Sequence, residues 1–188
     1  DLQYYSAGND LTTDLLLLRI EAAARRGVRV RILLDDIYPP TRHFGRRASA
    51  MHPAIEVRLY NPFFWSDDWD PVRIAELIAY AERLNRRMHN KLWIADNAVA
   101  IVGSRNLGDA YFDGLDSGNF SDVDLLAAGP IVGELSKAFD VYWNSASAVP
   151  IEQLGGALNA AAAERSRQSL LARAAACEDS PSCAALVP

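Results

Sequence analysis

The chain has 188 residues, of which 50% are hydrophobic and 23% are charged, with 11 Gly and 9 Pro. This is the composition of one globular domain with a proper core, and it excludes a disordered chain, a collagen-like repeat and a small disulfide scaffold. Nineteen basic against 24 acidic residues give a net charge of −5, so the chain lacks the strongly basic surface that is typical of nucleic-acid binding.

The first part of the chain alternates between strand and helix patterns. It predicts strands at residues 2–5, 28–34 and 55–60, with helices between them at about 10–26 and 41–51. A strand, a helix and a strand in this order favour a right-handed crossover and parallel strand pairing. The chain opens without Met on a strand-like segment, which favours a piece cut from a longer protein.

A long aromatic loop at 61–70 separates this part from the next elements. Asp70-Pro71 is typical of a helix start, and apolar residues keep helical spacing from there to about Arg87. The pattern then predicts a hairpin of two short strands around Asp96-Asn97, a strand at 121–127 and a helix at 131–143. Beyond Ser145 the composition shifts towards Ala, Ser, Gln and Arg, with a helix predicted near 157–176.

These elements predict an α/β fold with a mixed, largely parallel sheet that is flanked by helices on both faces. We assign residues 1–144 to the domain and residues 145–188 to a linker or helical tail. Cys177 and Cys183 are interpreted as two ordinary thiols, and no two of the three histidines have metal-ligand spacing. No metal or cofactor is therefore predicted.

The chemistry is concentrated in the predicted hairpin. His89 and Lys91 lie two residues apart and so share one face of a strand, and Ser104 and Asn106 repeat this spacing after the turn. An ammonium, a hydroxyl and an amide suit the oxygens of a phosphate or phosphodiester, while an imidazole can attack phosphorus. Gly103 would let the backbone approach the anion. Each of these residues alone is usually an ordinary surface or turn residue, but together they keep several fixed spacings.

The run from His89 through Lys91 to Asp96, followed by Gly103, Ser104 and Asn106, resembles the HKD motif of the phospholipase D superfamily. The surrounding sequence, RRMHNK before the hairpin and GSRNLGDAYFD after it, is most similar to the first half of bacterial cardiolipin synthase-like members. The resemblance covers residues 1–144. It implies a phospholipase D-like fold and a metal-independent, two-step transfer or hydrolysis of a phospholipid phosphodiester.

The resemblance also implies a role for each motif residue. His89 would form a phosphohistidine or act as the acid for the leaving oxygen, and Lys91, Ser104 and Asn106 would bind phosphate oxygens. Asp96 would hold the hairpin loop. A carboxylate against the far nitrogen of His89 would be Asp122, with Asp124 as the second choice.

The chain departs from the family pattern because it holds one motif, whereas the reaction needs a second imidazole to protonate the leaving alkoxide. Either a homodimer partner supplies that imidazole, or the chain is half of a two-motif enzyme whose C-terminal half is missing. The alternatives are a dimeric single-motif nuclease, against which the acidic charge counts, and an inactive half-domain that serves assembly. The aromatic loop either contacts a membrane surface or lines an acyl-chain channel, both of which would suit a phospholipid substrate and the first of which would be a peripheral membrane contact, or it folds onto the core.

Overall fold

A computed structural model describes residues 1–156 and 158–178 of the chain. The strands are β1 Leu2–Tyr4, β2 Val30–Asp35, β3 Ile55–Tyr60, β4 Leu92–Ala95, β5 Val99–Gly103, β6 Asp124–Ala128 and β7 Ala148–Pro150. The helices are α1 Leu11–Arg25, α2 Pro39–Met51, α3 Pro71–Ala79, α4 Ala81–Leu84, α5 Pro130–Trp143 and α6 Ala160–Glu178. None of the described helices is both long enough and apolar enough to cross a membrane.

The strands form one seven-stranded sheet in the order β6-β5-β4-β1-β2-β3-β7. The sheet is mixed and has helices on both faces, which confirms the predicted α/β class. Parallel pairing is limited to β1-β2 and β2-β3, and the other four neighbouring pairs are antiparallel. The sheet is thus less parallel than the sequence predicts, because the hairpin with β6 adds antiparallel strands at one edge and β7 adds another at the other edge.

The two faces of the sheet carry separate cores, as the alternation of side chains along a strand requires. Ile32 and Leu34 of β2 belong to the core beneath α1 and α2, whereas Leu33 between them packs in the core beneath α5. In α1, Asp10 is the N-cap, and its side chain accepts a hydrogen bond from the Thr13 backbone N–H. This cap fixes the start of α1 next to the loop that follows β1.

The predicted hairpin is present, and its turn holds the two strands in the expected register. Asp96 and Asn97 both have a φ of 53°, the left-handed conformation that a two-residue hairpin turn needs. The turn closes through a hydrogen bond from Ala98 N to Ala95 O of 3.0 Å. Leu92 therefore lies opposite Val102, which brings Lys91 beside Gly103.

Helix α3 begins at Pro71 after the Asp70 cap, as predicted, but it ends at Ala79 rather than near Arg87. Its polarity is the reverse of an ordinary surface helix: Arg73 and Glu76 are buried, whereas Ile74 and Ile78 are exposed. The buried pair serves the preceding loop, since Glu76 accepts hydrogen bonds from the backbone N–H groups of the loop residues Phe64 and Trp65.

The packed unit extends past residue 144, where the sequence analysis ends the domain. Strand β7 pairs with β3, and Leu170 of α6, the predicted tail helix, is buried in the core with α1 and α2. Ion pairs from Arg167 to Glu21 and from Arg173 to Asp14 tie α6 to α1. Short strands of three residues give little periodicity, which is why β7 escaped prediction. Cys183 and the side chain of Cys177 lie outside the described residues.

Candidate active site

His89 and Lys91 lie together at the start of β4, as the sequence predicts. The Lys91 ammonium is 3.0 Å from Nδ1 and 3.1 Å from Nε2 of His89, and it donates a hydrogen bond of 2.8 Å to the His89 carbonyl. Lys91 is only 7% exposed, whereas His89 reaches the surface. The pair thus presents an imidazole to solvent with a buried cation behind it.

Tyr5, at the end of β1, packs against this pair and was not predicted from the sequence. Its ring centroid is 4.5 Å from that of His89, and the Lys91 Nζ atom is 5.2 Å from the Tyr5 ring centroid. Burial, with a smaller contribution from Tyr38, raises the pKa of Tyr5 to about 12, so its hydroxyl stays protonated at neutral pH. Tyr5 reaches the motif through the pairing of β1 with β4, for which the sequence carries no local signal.

Asp35, at the end of β2, holds the backbone that leads into His89. Its fully buried carboxylate accepts hydrogen bonds from the Met88 N–H at 2.8 Å and from the Arg87 side chain at 3.0 Å. Burial raises the pKa of Asp35 to about 6, against the opposing effect of Arg87. The sequence analysis placed acidic residues at this strand end but gave them no role; in the structure Asp35 supports the segment that leads into His89.

The carboxylate predicted to support His89 forms a different contact. Asp122 Oδ1 accepts a 2.6 Å hydrogen bond from the Ser104 hydroxyl, and Asp122 Oδ2 is buried with no hydrogen-bond partner among the described residues. The second choice, Asp124, pairs with Arg105 at 2.8 Å. In the described part of the chain, His89 therefore has no carboxylate hydrogen-bonded to its ring, because Ser104 and Arg105 occupy both candidates.

Asn106 is buried just beyond β5, and its amide is oriented by two contacts. Its Oδ1 accepts a hydrogen bond from Ser6 N at 3.2 Å, and its Nδ2 donates to the Tyr111 hydroxyl at 3.1 Å. Asn106, Gly103 and Lys91 line the same cavity beside β4 and β5. The structure thus places Asn106 and Lys91 on one cavity, and their binding of one phosphate remains a prediction.

Gly103 has a packing reason to be glycine. A Cβ at this position would collide with the Asp124 carboxylate and the Val123 carbonyl, because β6 passes directly beside it. A close approach of an anion to this backbone remains a prediction.

Asp96 lies at the other end of β4 from the histidine. A strand rises about 3.3 Å per residue, which puts Asp96 roughly 17 Å from Lys91. Its place in the hairpin turn, with φ at 53°, fits a role in forming the loop and does not bring its carboxylate to the imidazole.

The surroundings of the pair favour a neutral imidazole. Burial and the neighbouring Lys91 ammonium lower the pKa of His89, so the neutral imidazole is the favoured form at pH 7. Burial also lowers the pKa of Lys91, while the charge of Asp122 opposes that shift. Within residues 1–156 and 158–178, no cluster of three or more His, Cys, Asp or Glu is placed to hold a metal ion.

Comparison with known proteins gives consistent results. The family model described as cardiolipin synthase, PLD-like domain, matches residues 2–143. Cardiolipin synthase C of Escherichia coli (strain K12) is 44% identical over 154 residues, which are 82% of this chain and 32% of that protein. A cardiolipin synthase of Staphylococcus aureus (strain Mu50) is 29% identical over 144 residues, 76% of this chain and 27% of that protein.

Among solved structures, NucT from Helicobacter pylori has the same fold, with a TM-score of 0.51 at 17% identity and 79% coverage of each chain. The chain spans about a third of the length of the curated relatives that it matches.

Proposed function

From the premise that this chain belongs to the PLD-like family of cardiolipin synthases, we propose that it forms one half-site of an enzyme that transfers or hydrolyses a phospholipid phosphodiester. The observation that carries the proposal is the pairing of a surface imidazole with a buried ammonium that has no carboxylate partner among the described residues. A buried cation is costly unless an anion compensates it. A substrate phosphate would be that anion.

In the first step, a ring nitrogen of neutral His89 attacks phosphorus, forming a P–N bond while the P–O bond to the leaving group breaks. Lys91 and Asn106 bind the non-bridging oxygens, whose charge rises in the transition state. Ser104 joins them if its hydroxyl turns from Asp122 to the ligand. In the second step an alcohol or water attacks phosphorus and passes its proton to the imidazole that protonated the leaving alkoxide, while the P–N bond breaks and neutral His89 is restored.

The leaving alkoxide of a phospholipid needs a proton, which His89 cannot deliver while its unprotonated ring nitrogen bonds to phosphorus. A second imidazole must supply it. Because the chain spans about a third of its curated relatives, we assign that imidazole to a second HKD motif in the rest of a longer protein. A homodimer partner is the other possible source.

An aryl phosphodiester tests the half-site by itself, because 4-nitrophenolate leaves without a proton and the reaction needs no second imidazole. With bis(4-nitrophenyl) phosphate, we expect a burst of nitrophenolate equal to the chain concentration and a phosphoryl adduct on His89 in the mass spectrum. His89→Ala should remove both, whereas His43→Ala, at an exposed histidine outside the site, should keep both. A burst that survives His89→Ala contradicts the proposal.

Lipid turnover distinguishes the substrate classes. With phosphatidylglycerol vesicles and the complete two-motif protein, we expect turnover that His89→Ala abolishes. Plasmid nicking that depends on His89, without lipid turnover, would instead support the nuclease alternative. If the complete protein shows neither lipid turnover nor plasmid nicking, the result would support the alternative of an inactive half-domain that serves assembly.

We also propose a peripheral membrane contact through the aromatic loop and α3. Phe63 is buried, but the following segment exposes a set of apolar side chains, which we call the aromatic platform: Phe64, Trp65, Trp69, Val72, Ile74, Ile78 and Tyr80. Aromatic side chains with aliphatic neighbours are typical of membrane interfaces.

Sedimentation with phosphatidylglycerol vesicles tests the contact. Replacing both Trp65 and Trp69 with Ser should reduce binding, while Val141→Ser, at an even more exposed apolar position on α5, should leave it unchanged. Equal binding by both variants would contradict the contact.

A further inference from the structure

We infer that the cavity beside Lys91 binds an acyl chain of the substrate whose phosphate Lys91 and Asn106 hold. This inference rests on the proposed phospholipid function and extends it to the tail of the lipid. The cavity has a volume of about 600 Å³, within the range of small-molecule sites, and lies between α1 and the β4–β5 hairpin. Its apolar wall includes Leu15, Leu16 and Leu18 of α1, Trp93 of β4, Ile101 of β5 and Phe112.

The position of the cavity follows from the register of the hairpin. Lys91 and Trp93 are two residues apart on β4 and therefore point to the same face of the sheet, and Ile101 lies opposite Trp93 on β5. The cation that faces the phosphate and the apolar wall thus form one continuous surface. A ligand that reaches both must carry an anion and a hydrocarbon chain.

A third group fits the linkage between these two parts. Thr12, near the start of α1, lines the same cavity, and its hydroxyl is buried with no hydrogen-bond partner among the described residues. Buried hydroxyls in native proteins almost always have a partner. The ester carbonyl that joins an acyl chain to glycerol is an acceptor this hydroxyl can donate to. The cavity thus offers an ammonium and an amide for a phosphate, a hydroxyl for an ester and a hydrocarbon wall for an acyl chain.

The competing occupant is an apolar segment of a second protein half, since Ile101 on the cavity wall is 44% exposed. Two measurements distinguish these occupants: the dependence of ligand affinity on acyl-chain length, and the oligomeric state of the chain. A lipid site recognises chain length, and a protein interface changes the oligomeric state or assembly of the chain.

The test uses monomeric lipids of increasing chain length: glycerophosphoglycerol, dibutanoyl phosphatidylglycerol and dihexanoyl phosphatidylglycerol. Binding is followed by calorimetry. Burial of one methylene corresponds to about a fourfold gain in affinity, so we expect Kd to fall steadily along the series. Ile101→Trp, which adds bulk at the exposed wall, should flatten this dependence and leave glycerophosphoglycerol binding unchanged.

Val99→Trp is the matched control, because Val99 is on the same strand and face, is 41% exposed, and does not line the cavity. It should keep the dependence on chain length. Thr12→Val should weaken the acylated lipids alone. Circular dichroism establishes that each variant folds.

Each outcome is decisive. Headgroup binding without chain-length dependence, or a dependence that Ile101→Trp leaves intact, overturns the acyl site but not the proposed function. A change of oligomeric state in Ile101→Trp with lipid affinity unchanged also overturns it, in favour of a protein occupant. No binding of any member, glycerophosphoglycerol included, contradicts the proposed phosphodiester site itself, and the acyl site with it.

Discussion

Two described regions of this molecule that bury a positive charge differ in whether a carboxylate is paired with it. Beneath the aromatic loop, Arg42 is 1% exposed, bonds both carboxylate oxygens of Asp36 and donates to the Phe63 carbonyl at 2.6 Å. At the hairpin, Lys91 is 7% exposed and donates to the His89 carbonyl, with no carboxylate within ion-pair distance in the described part of the chain.

The difference indicates which charge is structural and which is kept for a ligand. A buried arginine that is fully paired strongly destabilises the fold only when its partner is removed. A buried lysine that lacks an anionic partner costs the fold free energy, and it persists where binding an external anion gives that cost a function. The pairing state of a buried cation therefore separates the scaffold under the loop from the binding site at the hairpin.

The largest expected effect is on the arginine side of this comparison. Asp36→Ala removes the buried carboxylate partner of Arg42, which keeps the partly exposed Asp67, and it also removes the acceptor for Phe63 N. We expect the free energy of unfolding to fall by about 3–5 kcal/mol, as when one partner of a buried ion pair is removed. Urea unfolding followed by circular dichroism measures it.

The control for this variant is Asp68→Ala, whose carboxylate is exposed and pairs only with His43. It should change stability by less than about 1 kcal/mol. Similar losses for the two variants would remove the distinction between a structural buried pair and a surface pair.

The next effect concerns Lys91. Lys91→Met keeps the side-chain volume nearly the same and leaves no carboxylate unpaired. The free energy of unfolding should therefore change by less than about 1.5 kcal/mol. Glycerophosphoglycerol affinity, measured by calorimetry, should fall by about 10- to 100-fold, the range of a charge-assisted hydrogen bond. The other lysine of the chain gives the control, because Lys137 is exposed and pairs with Glu134. Lys137→Met should leave affinity unchanged; an equal loss in both variants would indicate non-specific attraction.

The hairpin was predictable because its information is local. Side chains alternate between the two faces of a strand. The spacing of His89, Lys91 and the Asp96-Asn97 turn is therefore enough to predict which side chains share a face. Contacts between distant segments were not predictable. Tyr5 reaches His89 through the pairing of β1 with β4, and Asp35 reaches Met88 from β2.

Asp122 shows that a residue close to the motif can also be predicted only in part. Its position close to the motif was predicted, but its partner was not, since the choice between His89 and the Ser104 hydroxyl depends on how β5 and β6 align. The parallel character of the sheet was overestimated for a similar reason. The β-α-β pattern specifies parallel pairs locally, but it says nothing of which strands join at the edges.

A smaller effect tests the electrostatic link between the two motif residues. Burial lowers the pKa of the His89 imidazole, and the Lys91 ammonium lowers it further because it disfavours a second positive charge nearby. In Lys91→Met this repulsion is gone, so the pKa of His89 should rise. Nuclear magnetic resonance titration of the imidazole nitrogens measures this, and three histidines make the assignment simple. His43, remote from Lys91, is the internal reference, and a fall in the pKa of His89 would contradict the link.

The smallest effect, on α3, tests the buried-charge side of the comparison. In an ordinary amphipathic helix the isoleucines stabilise the fold and the charges do not, but here Ile78 is 74% exposed and Glu76 is 1% exposed. Ile78→Ser should therefore change the free energy of unfolding by no more than about 0.5 kcal/mol. Glu76→Gln should cost more, about 1–3 kcal/mol, because the amide cannot accept all the hydrogen bonds that Phe64 N, Trp65 N and Arg83 now donate. Urea unfolding of the two variants side by side gives the order. If Ile78→Ser proved the more destabilising, the helix would bury its apolar face after all, and the aromatic platform would be part of the core rather than a surface for membranes.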